Sequence, residues 1–97
     1  MHARVVTFMV KSDNIETLTS IHHNEVIPVL QQQEGFKGSR LLVDPASGKS
    51  MIVTLWESQA IMQATEDTGW FREQLAKFST VFSSPPTRET YEVKVMV

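Results

Sequence analysis

The sequence contains no cysteine, few glycines and prolines (four of each), and no long apolar run. The absence of cysteine excludes disulfide scaffolds, thiolate metal sites and cysteine nucleophiles. The longest apolar stretches are three residues, as at Met51 to Val53, whereas a membrane-spanning helix needs about 20. The N-terminal residues have no apolar stretch typical of a secretory signal peptide, so we expect a cytoplasmic protein.

The sequence also lacks a strong charge of either sign. Nine basic and eleven acidic residues give a net charge of −2, which provides no electrostatic footprint for nucleic acid or an anionic membrane. Its 97 residues, of which 41% are hydrophobic, predict a single folded domain over residues 1–97. A domain of this length buries only about 60–65% of its unfolded surface, so pairing with a second copy would add stability.

Hydrophobic periodicity and breakers predict seven elements. The predicted strands are 3–10, 36–43, 49–56 and 87–97, and the predicted helices are 14–33, 59–65 and 68–82. The order βαββαβ is that of the α+β ferredoxin-like plan, an antiparallel sheet with its helices on one face.

Local signals set the expected ends of these elements. Ser12 or Asp13 is a candidate N-cap for the first helix, and Gly35 a left-handed cap at its end. Pro28 lies inside that helix and predicts a kink near Asn24, because proline has no N–H and crowds the preceding turn. Gly48 closes the turn between the second and third strands with a positive φ.

The first and third strands are apolar on both faces. Val5 and Met9 alternate with Val6, Phe8 and Val10, and the third strand has the same two-sided character. An antiparallel sheet covered by helices on one face normally has a polar second face. We therefore expect a homodimer in which the helix-free faces of two sheets stack.

Two short motifs resemble the antibiotic biosynthesis monooxygenase family of the dimeric α/β-barrel superfamily. They are Glu34-Gly35-Phe36-Lys37-Gly38 after the first helix and Leu55-Trp56-Glu57-Ser58 at the end of the third strand. The resemblance covers essentially the whole chain in order and spacing. It implies dimers with stacked sheets, a ligand pocket between sheet and helices, and activities that include cofactor-free oxygenation of aromatic polyketides, haem degradation and isomerisation of small carbonyl compounds.

The sequence departs from two of those activities. The haem-degrading members use an Asn on the first strand and a late His, whereas this strand has no Asn and the last His is His23. Some quinone-forming members have an Asn four residues before the strand-three Trp, where this chain has Ile52. The resemblance therefore supports the scaffold and leaves the chemistry open.

His22 is the main candidate for proton transfer. It lies in the middle of the apolar stripe of the first helix, so its ring should point between helix and sheet, where Glu25 could orient it. A histidine suits proton transfer near neutral pH, and burial should lower its pKa. The alternative is a core histidine hydrogen-bonded to a carbonyl or a threonine. With His23 it forms no metal motif, and we expect no metal site.

The candidate substrate-binding residues form an aromatic box with one hydroxyl. They are Phe8, Thr54, Trp56, Trp70 and Phe71. An aromatic stripe is also typical of an ordinary core, so both interpretations stay open.

Two functions of different class follow. One is a cofactor-independent monooxygenase, or a related small-molecule enzyme, in which His22 deprotonates an aromatic or β-dicarbonyl compound. The other is a non-catalytic small-molecule binding or regulatory module of the same fold. An RNA-binding function is not expected, because the third strand lacks the exposed aromatic pattern of such domains.

Overall fold

A computed structural model describes residues 1–97 and contains a four-stranded antiparallel sheet with helices on one face. The strands follow the order β2-β3-β1-β4 across the sheet. The elements are β1 (His2–Met9), a 3₁₀ turn (Ser12–Asn14), α1 (Ile15–Ile21), a π-helical turn (His22–Val26), α2 (Ile27–Leu30), β2 (Phe36–Val43), β3 (Lys49–Trp56), α3 (Gln59–Asp67), α4 (Trp70–Ala76) and β4 (Thr87–Glu92). This architecture confirms the ferredoxin-like α+β prediction.

The inner face of the sheet carries the core. In the β1–β3 register Val6 lies opposite Ile52 and Arg4 lies opposite Thr54, and all four side chains are buried. The helical layer closes this face with Leu18, Val26, Leu30 and Met62, and Phe78 from the turns after α4 packs with them. The core therefore occupies the single layer between sheet and helices.

The hairpin between β2 and β3 has the bounds that the sequence predicts. Gly48 has φ +80°, and a Cβ there would collide with the carbonyl oxygen of Val10. Only glycine tolerates both the left-handed backbone and this close approach. The turn thus fixes the position of the hairpin against the end of β1.

The first helical segment is irregular where Pro28 predicts a disturbance. The N–H of Ile27 donates to the carbonyl of His22, five residues back, which defines the π-helical turn. Because Pro28 has no N–H, the carbonyl of Asn24 loses its α-helical donor, and the wider turn accommodates this loss. The expected irregularity near Asn24 is therefore present and takes the form of a π bulge.

Three predicted elements extend at least three residues too far at their carboxyl ends. The first helix ends at Leu30 instead of residue 33, so Gly35, although its φ is +77°, lies beyond the helix and does not cap it. The second long helix ends at Ala76, and its apolar period continues to residue 82 in turns. The last strand ends at Glu92, because its register against β1 runs out at His2.

One of the predicted helix N-caps is present and the other is not. Ser58 accepts a hydrogen bond from the N–H of Ile61 at 3.2 Å and caps α3, as predicted. Neither Ser12 nor Asp13 caps the first helix: both lie within the 3₁₀ turn, and no side-chain cap is present there.

The outer face of the sheet is apolar at its centre and bears no helix. Val5, Met51, Val53 and Leu55 lie on this face, half-buried by their neighbours. Arg40 of β2 pairs with Val53 across the strands, and Tyr91 of β4 is half exposed. None of the helices has the length and apolar character that a membrane span requires.

Candidate functional site

A half-enclosed cavity of about 40 Å³ lies between the inner face of the sheet and α4. Its lining is mostly apolar, with three polar side chains. The strands contribute Arg4, Val6, Ile52 and Thr54; the helical side contributes Val26, Leu30, Trp70, Phe71, Gln74, Leu75 and Phe78. A volume of this size accommodates a few water molecules or a small ligand.

Arg4 is the central polar residue of this cavity, and its side chain is 2% exposed. The alternation of β1 places it on the same inward face as Val6 and Phe8. Its Nη2 donates to the Met62 carbonyl at 2.9 Å and to Thr65 Oγ1 at 2.6 Å. The guanidinium thus joins β1 to the body of α3.

One carboxylate serves two guanidinium groups beside the cavity. Glu66 Oε2 lies 3.3 Å from Arg4 Nη2, and Glu66 Oε1 contacts Nη1 of Arg88 on β4. Burial, and secondly the positive charge of Arg88, lower the pKa of Arg4 from its ordinary value to about 10. Arg4 therefore stays protonated at neutral pH, but its charge is incompletely compensated.

Aromatic rings surround the same guanidinium. Its carbon lies 4.0 Å from the centre of the Phe71 ring and 5.7 Å from that of Trp56. Both distances fall within the range of cation–π attraction. Phe71 belongs to α4, so this contact spans the cavity from sheet to helix.

Two buried polar atoms in the cavity lining have no hydrogen-bond partner. They are Nε of Arg4, a donor, and Oε1 of Gln74, an acceptor. Buried polar groups in folded proteins are almost always paired, since an unpaired one costs about 1–3 kcal/mol. These atoms are therefore candidates for contacts with a ligand.

Thr54 supplies a third polar group. Its Oγ1 accepts a hydrogen bond from Trp56 Nε1 at 3.0 Å, which leaves its own O–H as a donor. The side chain lies opposite Arg4 in the sheet register, so both polar groups project from adjacent positions of the cavity floor.

The structure brings together three of the five predicted substrate-binding residues. Thr54, Trp70 and Phe71 line the cavity. Trp56 is fully buried beneath it and packs edge-on against Trp70, with ring centres 6.2 Å apart. Phe8 is buried against Phe82, with ring centres 4.4 Å apart, and also lies outside the lining. Trp56 and Phe8 thus occupy core positions that support the cavity.

His22 is buried, as its position in the apolar stripe predicts, with 6% of the residue exposed. Its Nε2 lies 3.3 Å from Ser39 Oγ, and its Nδ1 has no partner. The expectation that Glu25 orients the ring is wrong: Ser39 of β2 takes that place. Burial, and to a lesser degree His23, lower the pKa of His22, in the predicted direction.

His22 does not line the cavity that holds Arg4. Its ring centre lies 6.3 Å from that of Phe78, and Phe78 with Val26 forms the cavity wall on that side. Instead, His22 borders an open groove of about 430 Å³ between α1 and β2, together with four other polar residues (Thr19, His23, Ser39 and Arg40) and four apolar ones. No three His, Asp or Glu side chains come together as a metal site.

Sequence reasoning missed Arg4 and Gln74. Arg4 was available from strand parity, because it alternates with Val6 and Phe8, but a charged residue near a strand end is more often exposed. Gln74 lies one residue before Leu75 on α4, and only the packing of that helix shows that it faces inward.

No protein-family model matches the chain. Two uncharacterised proteins of Mycobacterium tuberculosis, MT2634 of strain CDC 1551 / Oshkosh and Rv2557 of strain H37Rv, are each 31% identical to it over 97 residues. The alignment covers 99% of this chain and 42% of each relative, so the chain spans less than half of their length.

Solved structures match the whole fold at low sequence identity. A monooxygenase of Streptomyces coelicolor, the product of ActVA-Orf6, solved with the ligand nanaomycin D, has a TM-score of 0.77 at 19% identity, covering 99% of this chain and 89% of its own. A candidate antibiotic biosynthesis monooxygenase of Nitrosomonas europaea has a TM-score of 0.76 at 14% identity, covering 98% and 100%. One from Deinococcus radiodurans has a TM-score of 0.76 at 12% identity, covering 100% and 96%.

The chain has the antibiotic biosynthesis monooxygenase fold. This confirms the scaffold that the two short motifs imply. In this monooxygenase fold, the Arg4 cavity lies between sheet and helices, where the resemblance implied a ligand pocket.

Proposed function

We propose that residues 1–97 form a single small-molecule-binding domain that acts as a cofactor-independent monooxygenase on an acidic aromatic or β-dicarbonyl compound. The observation that carries this proposal is the apolar cavity with unpartnered buried polar atoms on Arg4 and Gln74. An apolar site with a few convergent polar groups is typical of a ligand pocket. The likeness to a monooxygenase that holds nanaomycin D supports the same reaction class.

The chemistry requires an acidic substrate. Loss of a proton from an activated CH₂ gives a carbanion whose charge is delocalised onto a neighbouring oxygen. Reaction with O₂ then converts the CH₂ to C=O, with one oxygen atom retained in the product and the other released as water. The substrate supplies all four electrons, so the step balances without another reductant.

His22 is the proposed general base. Its lowered pKa keeps the imidazole neutral at pH 7, and Nδ1 is free to accept a proton. Phe78 lines the cavity and its ring lies beside that of His22, whereas His22 does not line the cavity, so contact between a substrate held there and His22 requires a shift of the Phe78 side chain. The proposal therefore includes displacement of Phe78 on substrate binding.

The proposed active form is a homodimer with stacked outer faces. Its basis is the half-buried apolar patch of Val5, Met51, Val53 and Leu55. The apolar residues Val95 and Val97, which follow β4 and are exposed, would gain cover from the second copy.

The test is oxygen uptake with acidic aromatic and β-dicarbonyl compounds that have an activated CH₂, starting with 2-tetralone and 2,4-pentanedione. We expect protein-dependent uptake that falls by about a hundredfold or more in His22→Gln, within the range that general-base catalysis contributes. Ser79→Ala, at an exposed loop position, is the control. Uptake that His22→Gln leaves unchanged contradicts the assignment of the base.

The second candidate is a binding module without turnover. The small cavity volume and the wall between His22 and Arg4 favour it. Saturable ligand binding with no oxygen uptake and no product by mass spectrometry would establish this function in place of the first.

A further inference from the structure

The charges beside the cavity do not balance. Arg4 and Arg88 share the single carboxylate of Glu66, so the cluster carries one net positive charge. Arg4 is only 2% exposed, and a buried charge is costly unless it is paired. Arg88 is about half exposed and solvated, whereas the buried Arg4 shares its one carboxylate, so the charge of Arg4 is incompletely paired.

The hydrogen bonds of Arg4 show the same deficit. Met62, Thr65 and Glu66 all accept from Nη2, whereas Nε–H has no acceptor although it is buried. Nε has almost no accessible surface, so a neighbouring side chain must shift for an oxyanion to reach it; an oxyanion bound there would satisfy this donor and add a negative charge beside Arg4. Charge-assisted bonds of this kind are about twice as strong as neutral ones.

The rest of the lining defines the ligand further. Thr54 offers an O–H donor beside Arg4, and Gln74 offers an unpartnered acceptor. Apart from these groups the walls are apolar, and Phe71 stacks on the guanidinium at 4.0 Å. A ligand that matches has a single charged end and a small, flat, apolar body.

We propose that the cavity is an anion site in which Arg4 binds the charged oxygen of a small planar carboxylate or enolate. This deepens the proposed function by stating that the ligand binds in its ionised form. It rests on the proposed function only for the location of the site. For an enol, Arg4 would stabilise the anion and so increase the fraction that is deprotonated at a given pH.

The direct test follows the Nε–Hε signal of Arg4 by NMR during titration with propionate, with propionamide as the neutral isostere. We expect propionate to shift this signal saturably and propionamide to leave it unchanged. An unchanged signal with propionate, or equal shifts with both probes, overturns the proposal.

Two variants test the charge argument. Arg88→Gln removes the competing cation from a half-exposed position, makes the cluster neutral, and should weaken propionate binding severalfold. Arg4→Lys keeps the charge but loses Nε–H and should weaken binding by about tenfold or more, measured by calorimetry. If Arg4→Lys fails to fold, Arg88→Gln carries the test, and unchanged affinity in that variant contradicts the proposal.

A second probe separates this inference from the proposed function. With 2,4-pentanedione at constant pH, we expect the wild-type protein to increase the enolate absorbance and Arg88→Gln to increase it less. Propionate binding and enolate stabilisation without oxygen uptake would uphold the anion site and reject the oxygenase. Oxygen uptake without propionate binding and without enolate stabilisation would uphold the oxygenase and reject the anion site.

Discussion

The guanidinium carbon of Arg4 lies 4.0 Å from the centre of the Phe71 ring, and this contact connects β1 with α4 across the cavity. The same guanidinium bonds to Met62 and Thr65 of α3. One side chain of the sheet therefore contacts both α3 and α4, and α4 closes the pocket. The position of α4 therefore depends in part on the side chain of Arg4.

Replacing Phe71 by leucine should destabilise the protein by about 1–2 kcal/mol, because the cation–π contact is lost while the apolar volume is largely kept. Phe71→Tyr retains the ring and serves as the control. Chemical denaturation of both variants measures the free energy of unfolding. Equal stabilities of Phe71→Leu and the wild type would show that the contact contributes nothing.

Stability should decrease as the pH falls below the ordinary histidine pKa of 6.5, since the pKa of His22 is lowered in the folded state. At such pH the histidine of the unfolded chain binds a proton more readily than the buried ring does, which lowers the free energy of unfolding. The contribution is fully present above pH 6.5 and is lost as the pH approaches the folded pKa. His22→Gln should remove this part of the pH dependence of the free energy of unfolding. An NMR titration that places the pKa of His22 above 6.5 would contradict the prediction.

The outer face predicts the oligomeric state. The wild-type protein should sediment at micromolar concentration with about twice the chain mass of 11.0 kDa. Val53→Asp should dissociate the dimer, because an unpaired carboxylate in the interface costs several kcal/mol. In the monomer Val53 is only half-buried and its cross-strand neighbour is Arg40, so the variant chain should stay folded. Ser79→Asp, which adds the same charge to an exposed loop, should leave the dimer intact, and a monomeric wild type would end the argument.

Haem degradation should be absent, since β1 has no Asn and no His follows His23. Incubation with haem and a reductant should leave the Soret band decaying at the rate seen without protein. Protein-dependent loss of the band with release of iron would show that the comparison with haem-degrading members misjudged the required residues.

Patterns that depend on near neighbours predicted the fold well. The hairpin strands have the predicted bounds because Asp44 to Gly48 is a strong turn signal between two β-rich runs. The inward position of His22 follows from the helical period before the π bulge. Both predictions depend only on residues that are close together in the sequence.

Features that depend on distant partners could not be read from the sequence. The alternation of β4 continues to Val97, yet pairing with β1 ends at the His2–Glu92 pair. Phe78 looks like any member of an apolar stripe, and only the packing shows that it lines the Arg4 cavity beside the ring of His22. The burial of Arg4 likewise depends on Met62 and Thr65, some 60 residues away.

The most direct test of the account is the position of a bound small anion, determined from intermolecular NOEs with propionate. The Arg4 cavity predicts NOEs from the ligand to the methyl groups of Ile52 and Leu75, which line it. NOEs confined to Ile15 and Val43 would place the ligand in the His22 groove and contradict the account.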